Sequence, residues 1–398
     1  MKSRLRQVAQ LASGFAVLPM LLVLRLLRPW LRLELCVVGS QRFGHLALEP
    51  EVFLSRLEVT GSSLGPRTLH VWSFGRKDVQ SNWVLAKMWK KRVRFAPGIL
   101  VGALVRGGKL VPGLSLVVTP LLIHGPLNVL DRTDSQLQRQ VTTDSRTMLQ
   151  RLGIQPGTPY VCVAIRDASY YARTGTRESK GYSILNFELA TFEAAVRRLI
   201  VHGFAVVRMG TPTSNTLPEL PGFIDYANSP LRDELSDIVL IRDCEFVLST
   251  QTGIDAVALA LRRPVLYIDT VRLSQFFLGT RLATWNPVKF VPSDGSAPMN
   301  LSQLANSSFM WMEDPAEFLN SRTQFVRSSS TEIESMVDSY VRERRGQAPA
   351  DWKSLRDLAN NRMTMALGVR GQAIWGDVTA QLNGWWLEQN HEWFLAPR

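Results

Sequence analysis

Between residues 160 and 268, short apolar runs alternate with amphipathic stretches, and this alternation leaves few folds open. Residues 160–165, 204–208, 223–227, 245–248 and 265–268 are rich in Val, Ile, Leu, Phe and Tyr. Residues 187–202 have helical spacing and close at Gly203, and residues 231–244 and 254–261 are also helical in pattern. Continuous apolar strands separated by helices predict a parallel sheet covered on both faces. The repeated strand–helix–strand order makes a doubly wound α/β sheet the economical solution. In such sheets ligands bind outside the carboxyl ends of the strands. The polar residues of this stretch fall there: Arg166 and Asp167, then Arg208 and Gly210, then Asp225 and Tyr226, then Ser249, Thr250, Gln251, Thr252 and Gly253.

The run from Ser249 to Gly253 precedes a helix of small apolar residues. Free N–H groups and the positive end of a helix dipole suit a phosphate, and small hydroxyl side chains let backbone come close. Ser and Thr also serve as plain N-caps, so both readings stand. Arg166 on the same edge would add a charge-assisted bond to a diphosphate. Asp225 either accepts from a ribose hydroxyl or caps the next turn, and Tyr226 either lines a pocket or sits in the core. Residues 167–186 form a long polar loop with Tyr170, Tyr171, Arg173, Arg177 and Lys180, a binding lid or a plain surface loop.

Upstream, residues 33–38 read as a strand leading through a glycine-containing turn into a helix. The turn is not GxGxxG. His45 and Glu49 are four apart and share one helix face. Either can serve as a general base; alternatively His45 caps the turn and Glu49 pairs with Arg42. Residues 67–74 alternate like a second strand, with His70 as a structural histidine. Residues 82–94 have a Trp/Leu face and a cationic face. Between Asp78 and Asp131 there is no acidic residue, but seven cations: Lys87, Lys90, Lys91, Arg92, Arg94, Arg106 and Lys109. Residues 98–122, dominated by apolar residues and glycine, predict further strands and turns. His124 stands in a turn and has no assigned role. Residues 135–151 are polar with helical spacing, residues 153–159 form a Gly/Pro turn, and a domain boundary is expected near 150.

Residues 11–24 form an apolar run flanked by Lys2, Arg4, Arg6, Arg25, Arg28 and Arg32. At 14 residues it is shorter than the roughly 20 needed to span a bilayer. Arginines stand where a signal peptide has small cleavage-site residues. An interfacial helix with a basic rim is expected, against the alternative of a terminal helix packed on the protein's own core. The net charge of +12 calls for an anionic partner. An anionic membrane surface fits; nucleic acid does not, since stacking platforms and a known binding motif are missing. Apolar content of 45% excludes a disordered chain. Cys36, Cys162 and Cys244 are too far apart for a metal or redox motif and read as buried, reduced thiols.

Near the C-terminus, residues 315–326, 329–345 and 351–367 have helical spacing, with N-cap candidates from Ser329 to Glu332. Trp352, Trp375, Trp385, Trp386 and Trp393 crowd the last stretch, as packing anchors or as contacts to sugar or membrane.

Taken together, residues 163–170, Tyr182-Ser183 with Asn186-Phe187, Arg208 to Gly210, 224–227, 236–238 and Ser249 to Gly253 resemble a family of bacterial glycosyltransferases associated with surface-polysaccharide (capsule and O-antigen) gene clusters. Residues 42–50, 88–91 and 385–395 carry the same resemblance. It implies a GT-B-like architecture: two Rossmann-like domains facing a cleft, plus C-terminal helices. The corresponding division is 1–32 as a membrane-associating helix, 33–150 as the acceptor domain, 151–312 as the nucleotide-sugar donor domain, and 313–398 as helices returning to the N-terminal domain. The implied activity is transfer of a sugar from a nucleotide-sugar to a lipid-linked or polysaccharide acceptor at the cytoplasmic face of the inner membrane. The implied donor site comprises Arg166, Tyr170, Arg208, Gly210, Asp225, Tyr226 and Ser249 to Gly253. Glu49, His45 and Asp167 are the candidate bases. The class implies no essential metal and no cofactor beyond the nucleotide-sugar substrate, and no DxD motif stands out. The sequence departs from the family at Thr250-Gln251-Thr252, where a Gly/Ser-rich turn is expected; a different donor or reduced activity would follow. The alternatives are a catalytically silent assembly subunit and another nucleotide-sugar enzyme such as an epimerase.

Overall fold

The computed structural model describes residues 11–60, 68–74, 80–111, 113–114, 116–119, 127–169, 182–319 and 321–395. It divides into two units, residues 1–123 with 133–140, and residues 124–132 with 141–398.

The first unit holds three parallel strands, β1 (Arg32–Val37), β2 (Thr68–Ser73) and β3 (Val117–Thr119), in the order β2-β1-β3. Leu35 and Cys36 of β1 are fully buried, as a central parallel strand requires. The helices are α1 (Leu18–Leu27), α2 (Phe43–Val59), α3 (Trp83–Arg92) and α4 (Gly98–Leu110). The Asn82 side chain caps α3 by accepting the Leu85 N–H at 2.8 Å. Leu85, Ala86 and Trp89 form its buried face.

The stretch 98–110 is a helix, not the strands and turns expected from its glycines. The reason is tertiary. Residues 11–16 and α1 pack on α4, and the contact is closest where glycine meets glycine. A Cβ on Gly107 would lie 2.7 Å from the Gly14 carbonyl oxygen and 2.8 Å from Val17 Cγ2. Close helix approach outweighs the helix propensity lost at glycine, about 1 kcal/mol each. Leu21, Leu35, Val101, Leu104 and Leu114 make the resulting core. Burial of Leu21 alone contributes roughly 2 kcal/mol. Apolar residues of this pair and of the turn after α1 are exposed: Phe15 59%, Leu26 72%, Trp30 67% and Ile99 76%. No helix among the described residues is long and apolar enough to cross a membrane.

The second unit is built on a seven-stranded parallel sheet. Its strands are β4 (Tyr160–Ala164), β5 (Ala205–Arg208), β6 (Phe223–Ile224), β7 (Val247–Ser249), β8 (Val265–Thr270), β9 (Ala283–Pro287) and the late strand Gln381–Leu382. The order is late strand, β9, β8, β7, β4, β5, β6, with every pairing parallel. The doubly wound sheet read from the sequence is therefore present. Lys289–Pro292 and Thr323–Val326 form a separate antiparallel pair, which takes over the second half of the stretch expected to be helical from 315.

Regular helix is shorter than its spacing suggested in two places. Residues 189–192 are a 3-10 turn before α6 (Glu193–Val201), and only α5 (Arg146–Arg151) is α-helical in the polar stretch after 135. Helices α7 (Glu234–Asp243) and α8 (Gly253–Ala260) flank β7 in sequence. Helix α9 (Ser330–Arg344) opens with a Ser329–Glu332 capping box. Helix α10 (Trp352–Trp375) is broken at Gly368, which has φ +56°. Trp352, Trp375 and Trp386 are buried packing anchors.

The Gly14–Gly107 contact separates two substitutions. Gly102→Ala, whose new methyl meets only the flexible Arg106 guanidinium, is expected to be neutral or to stabilise by up to about 1 kcal/mol. Gly107→Ala is expected to destabilise by about 1–3 kcal/mol, because backbone has to move. Thermal unfolding of the two variants checks this; equal behaviour would contradict the close contact.

Candidate functional site

Strand order reverses between β4 and β7, neighbours in space but far apart in sequence. The chain leaving β4 goes on to β5 on one side and that leaving β7 to β8 on the other, the topology at which α/β sheets form a ligand crevice. The loop after β4 carries Arg166 and Asp167; the loop after β7 carries Thr250 to Thr252 and leads into α8. The two are tied directly, since the Arg166 N–H donates to Thr250 Oγ1 at 2.9 Å.

Every side chain of the β7–α8 turn is used to shape it. Gln251 has φ +58°, a left-handed conformation that glycine would adopt more readily. Its amide secures the turn: Oε1 accepts from the N–H groups of Val271 (2.9 Å) and Arg272 (3.1 Å), and Nε2 donates to the Arg272 carbonyl at 3.2 Å. Those three bonds explain how a glutamine stands where a glycine-rich turn was expected. Thr252 caps α8, its Oγ1 accepting from the Ile254 N–H at 3.2 Å. Asp255 closes a capping box, accepting from the Thr252 N–H at 2.7 Å and from Ser249 Oγ at 2.9 Å. The Gln251 and Gly253 N–H groups, beside the positive end of α8, have no partner among the described residues.

Asp255 is fully buried, and its pKa is pushed up to about 7. Burial is the main cause; the Ser249 and Thr252 bonds and the nearby Arg166 charge oppose it. The Arg166 charge therefore lies within electrostatic reach of this turn. Sequence reasoning passed over Asp255, although Thr252 and Asp255 have capping-box spacing.

On the β5 side the residues are committed to one another. Arg208 is 4% exposed; it donates to Asp225 Oδ1 at 2.8 Å and lies 3.8 Å from Asp167 Oδ2. The second Asp225 oxygen accepts from Asn228 Nδ2 at 2.8 Å. Asp167 Oδ1 accepts from the Ser169 N–H at 3.0 Å, and Ser169 Oγ meets Thr211 Oγ1 at 2.8 Å. Gly210, at φ +133°, lets the chain turn after β5. Tyr226 is fully buried, with its hydroxyl on the Asp233 backbone, so the core reading of this residue holds. Burial raises its pKa. Tyr170 and most of the proposed lid lie outside the described residues.

A second buried carboxylate escaped the sequence reading. Asp269, at φ +51° in β8, accepts from Ser328 N (2.8 Å), Ser328 Oγ (2.6 Å) and Asn286 Nδ2 (2.9 Å). Arg327 beside it stacks on Phe187, 3.6 Å from the ring centroid, and the Phe187 N–H donates to the Arg166 carbonyl at 2.8 Å. These partners are too far apart in sequence for any local signal.

In the first unit, His45 and Glu49 do share a face. His45 Nδ1 and Glu49 Oε1 are 2.7 Å apart, and Glu49 Oε2 accepts the Gly39 N–H at 2.9 Å. Glu49 is 7% exposed and pairs with His45, not Arg42; the His45 side chain is 28% exposed. The carboxylate holds both the β1–α2 turn and the imidazole. Among the described residues, no three His, Cys, Asp or Glu side chains group as metal ligands.

No protein-family model and no curated protein matches the sequence. Among solved structures, the E. coli ADP-heptose lipopolysaccharide heptosyltransferase II is 11% identical, over 73% of this chain and 96% of that one, with a TM-score of 0.38. A glycosyl transferase family 9 protein from Veillonella parvula is 11% identical, over 60% of this chain and 80% of that one, with a TM-score of 0.33. The UDP-GlcNAc 2-epimerase of Methanocaldococcus jannaschii is 10% identical, over 78% and 99%, with a TM-score of 0.30. Likeness at this level does not separate a transferase from an epimerase.

The raised Asp255 pKa sets a pH dependence. The folded state holds this proton to about pH 7, whereas the unfolded chain releases it near 3.8. The contribution of Asp255 to stability is therefore full below about pH 4 and falls as pH rises to about 7. Asp255→Asn keeps an oxygen acceptor for Ser249 and Thr252 but removes the titration. Relative to this variant, the wild type is expected to lose stability from pH 4 to 7, by at most about 4 kcal/mol. Parallel pH profiles of unfolding would contradict it.

Proposed function

We propose that the protein is a glycosyltransferase whose second unit binds the diphosphate of a nucleotide-sugar in the crevice at the ends of β4 and β7. The observation that carries this reading is the join between the β4 loop and the N-terminus of α8 at the reversal of strand order, with Arg166 on one side and the Gln251 and Gly253 N–H groups on the other. Nucleotide phosphates bind at such positions for electrostatic reasons.

In the transfer, an acceptor hydroxyl attacks the anomeric carbon and the bond from that carbon to the diphosphate oxygen breaks. The leaving diphosphate gains negative charge. The α8 dipole, the two N–H groups and Arg166 favour that charge, which lowers the barrier more than it favours ground-state binding. The proton of the attacking hydroxyl goes to a base. His45 suits this role: Glu49 engages Nδ1 and leaves Nε2 for the proton. Asp167, engaged by Ser169 and close to Arg208, is the weaker candidate. Buried Arg208 and its partner Asp225 act as a brace and bear on the donor through the loops they hold.

The acceptor, in this reading, is a lipid-linked or polysaccharide hydroxyl, and the reaction takes place on the cytoplasmic face of the inner membrane, where the enzyme lies peripherally. The support is physical. Exposed Phe15, Leu26 and Trp30 lie beside Arg25 and Arg28, an apolar face with a basic rim. No step requires a metal or a further cofactor.

The test is thermal unfolding with UDP, GDP, ADP and CMP and their sugars. At 100 times its dissociation constant, the matching nucleotide is expected to stabilise the wild type by about 2.7 kcal/mol and Arg166→Ala far less. His45→Ala is expected to keep that shift and lose transfer by about 10²–10⁴-fold. No shift with any nucleotide, in folded protein, would overturn the donor site in favour of a silent assembly subunit.

A further inference from the structure

The first unit has an open groove of about 420 Å³ whose lining includes neither His45 nor Glu49. It runs along β2 from Thr68 to Trp72. Phe53 from α2 stands edge-on to His70 and Trp72, at centroid distances of 4.9 and 5.1 Å, and gives the groove an aromatic floor. The other wall is the last turn of α3 and the chain leaving it, with Lys91, Arg92 and Arg94. Backbone pairing fixes this wall against β2: the Trp72 N–H donates to the Arg94 carbonyl, and the Ala96 N–H to the Trp72 carbonyl, each at 2.8 Å. Arg92 donates to Gln136 Oε1 at 3.1 Å, while Lys91 and Arg94 are exposed. Burial lowers the His70 pKa, opposed by the charge of Glu34, whose Oε2 is 3.4 Å away.

The cationic wall continues directly into exposed apolar residues, Phe95 (53%) and Ile99 (76%). Lys90, one residue before the wall, sits 4.4 Å from the Trp83 ring centroid and 5.4 Å from that of Phe95. A cationic groove bordered by exposed aromatic and aliphatic groups matches a ligand that is anionic at one end and apolar at the other. We propose that this groove receives the phosphate headgroup of an anionic phospholipid, with Lys91 and Arg94 on the phosphate and Phe95 and Ile99 at the acyl boundary. The proposal rests on the peripheral-membrane part of the function above. It adds a defined lipid site to a general attraction of basic surface for anionic bilayer.

The experiment uses the full chain with phosphatidylcholine vesicles, with vesicles also containing phosphatidylglycerol, and with monomeric dihexanoyl-phosphatidylglycerol. Lys91→Gln/Arg94→Gln is compared with Lys87→Gln/Lys109→Gln, which removes the same charge outside the groove. The groove pair is expected to weaken binding to the mixed vesicles about thirtyfold, from about 1 kcal/mol per cation, and the control pair only a few-fold. Saturable binding of the short-chain lipid is expected in the wild type and the control pair and not in the groove pair. Equal losses from both pairs, absence of short-chain lipid binding, or equal competition by inorganic phosphate would each overturn the site. Short-chain lipid binding that survives while wild type ignores all vesicles supports the groove and counts against the membrane reading. Thermal unfolding of both variants confirms that they fold.

Discussion

Parallel pairing of β4 with β7 is the constraint on which the second unit depends. The two strands are joined in sequence by everything that forms β5, β6, α6 and α7, so their contact is long-range and nothing local enforces it. Once made, it brings the Arg166 loop against the turn that starts α8, and the Arg166 N–H to Thr250 Oγ1 bond records that contact. Other parts of the site are arranged around it. Gln251 secures the turn to the β8 loop, Asp255 closes it from below, and the Arg208–Asp225 pair stiffens the neighbouring edge.

Much of this was legible in the sequence because burial on both faces of a parallel sheet leaves a plain mark, a continuous apolar run. The positions of Arg166, Asp167 and Ser249 to Gly253 at strand ends followed from that mark. Residue-by-residue roles followed less well. Arg208 looked like a ligand because it ends a strand, yet its charge is spent on Asp225, 17 positions later. Tyr226 looked like pocket or core equally, and full burial decides for core. Asp269 gave no signal, since Asn286 and Ser328 reach it from distant segments. Residues 98–110 misled in the other direction. Their glycines read as turns, but each glycine's meaning depends on what packs against it, and Gly107 faces Gly14.

The first unit joins two features of different character. His45 and Glu49 are a local pair, readable from four-residue spacing on a helix, and the Gly39 N–H gives the carboxylate a second task. The cationic stretch from Lys87 to Lys109 is readable only as charge. That Lys91, Arg92 and Arg94 line an aromatic-floored groove depends on β2 and α2, which the charge pattern does not contain.

The most direct measurement is amide hydrogen exchange of the purified protein with and without a saturating nucleoside diphosphate. The predicted result is slowed exchange concentrated in residues 164–169 and 249–254, the two loops joined at the reversal of strand order. Protection centred anywhere else, or none in these loops despite demonstrated binding, would contradict the central claim.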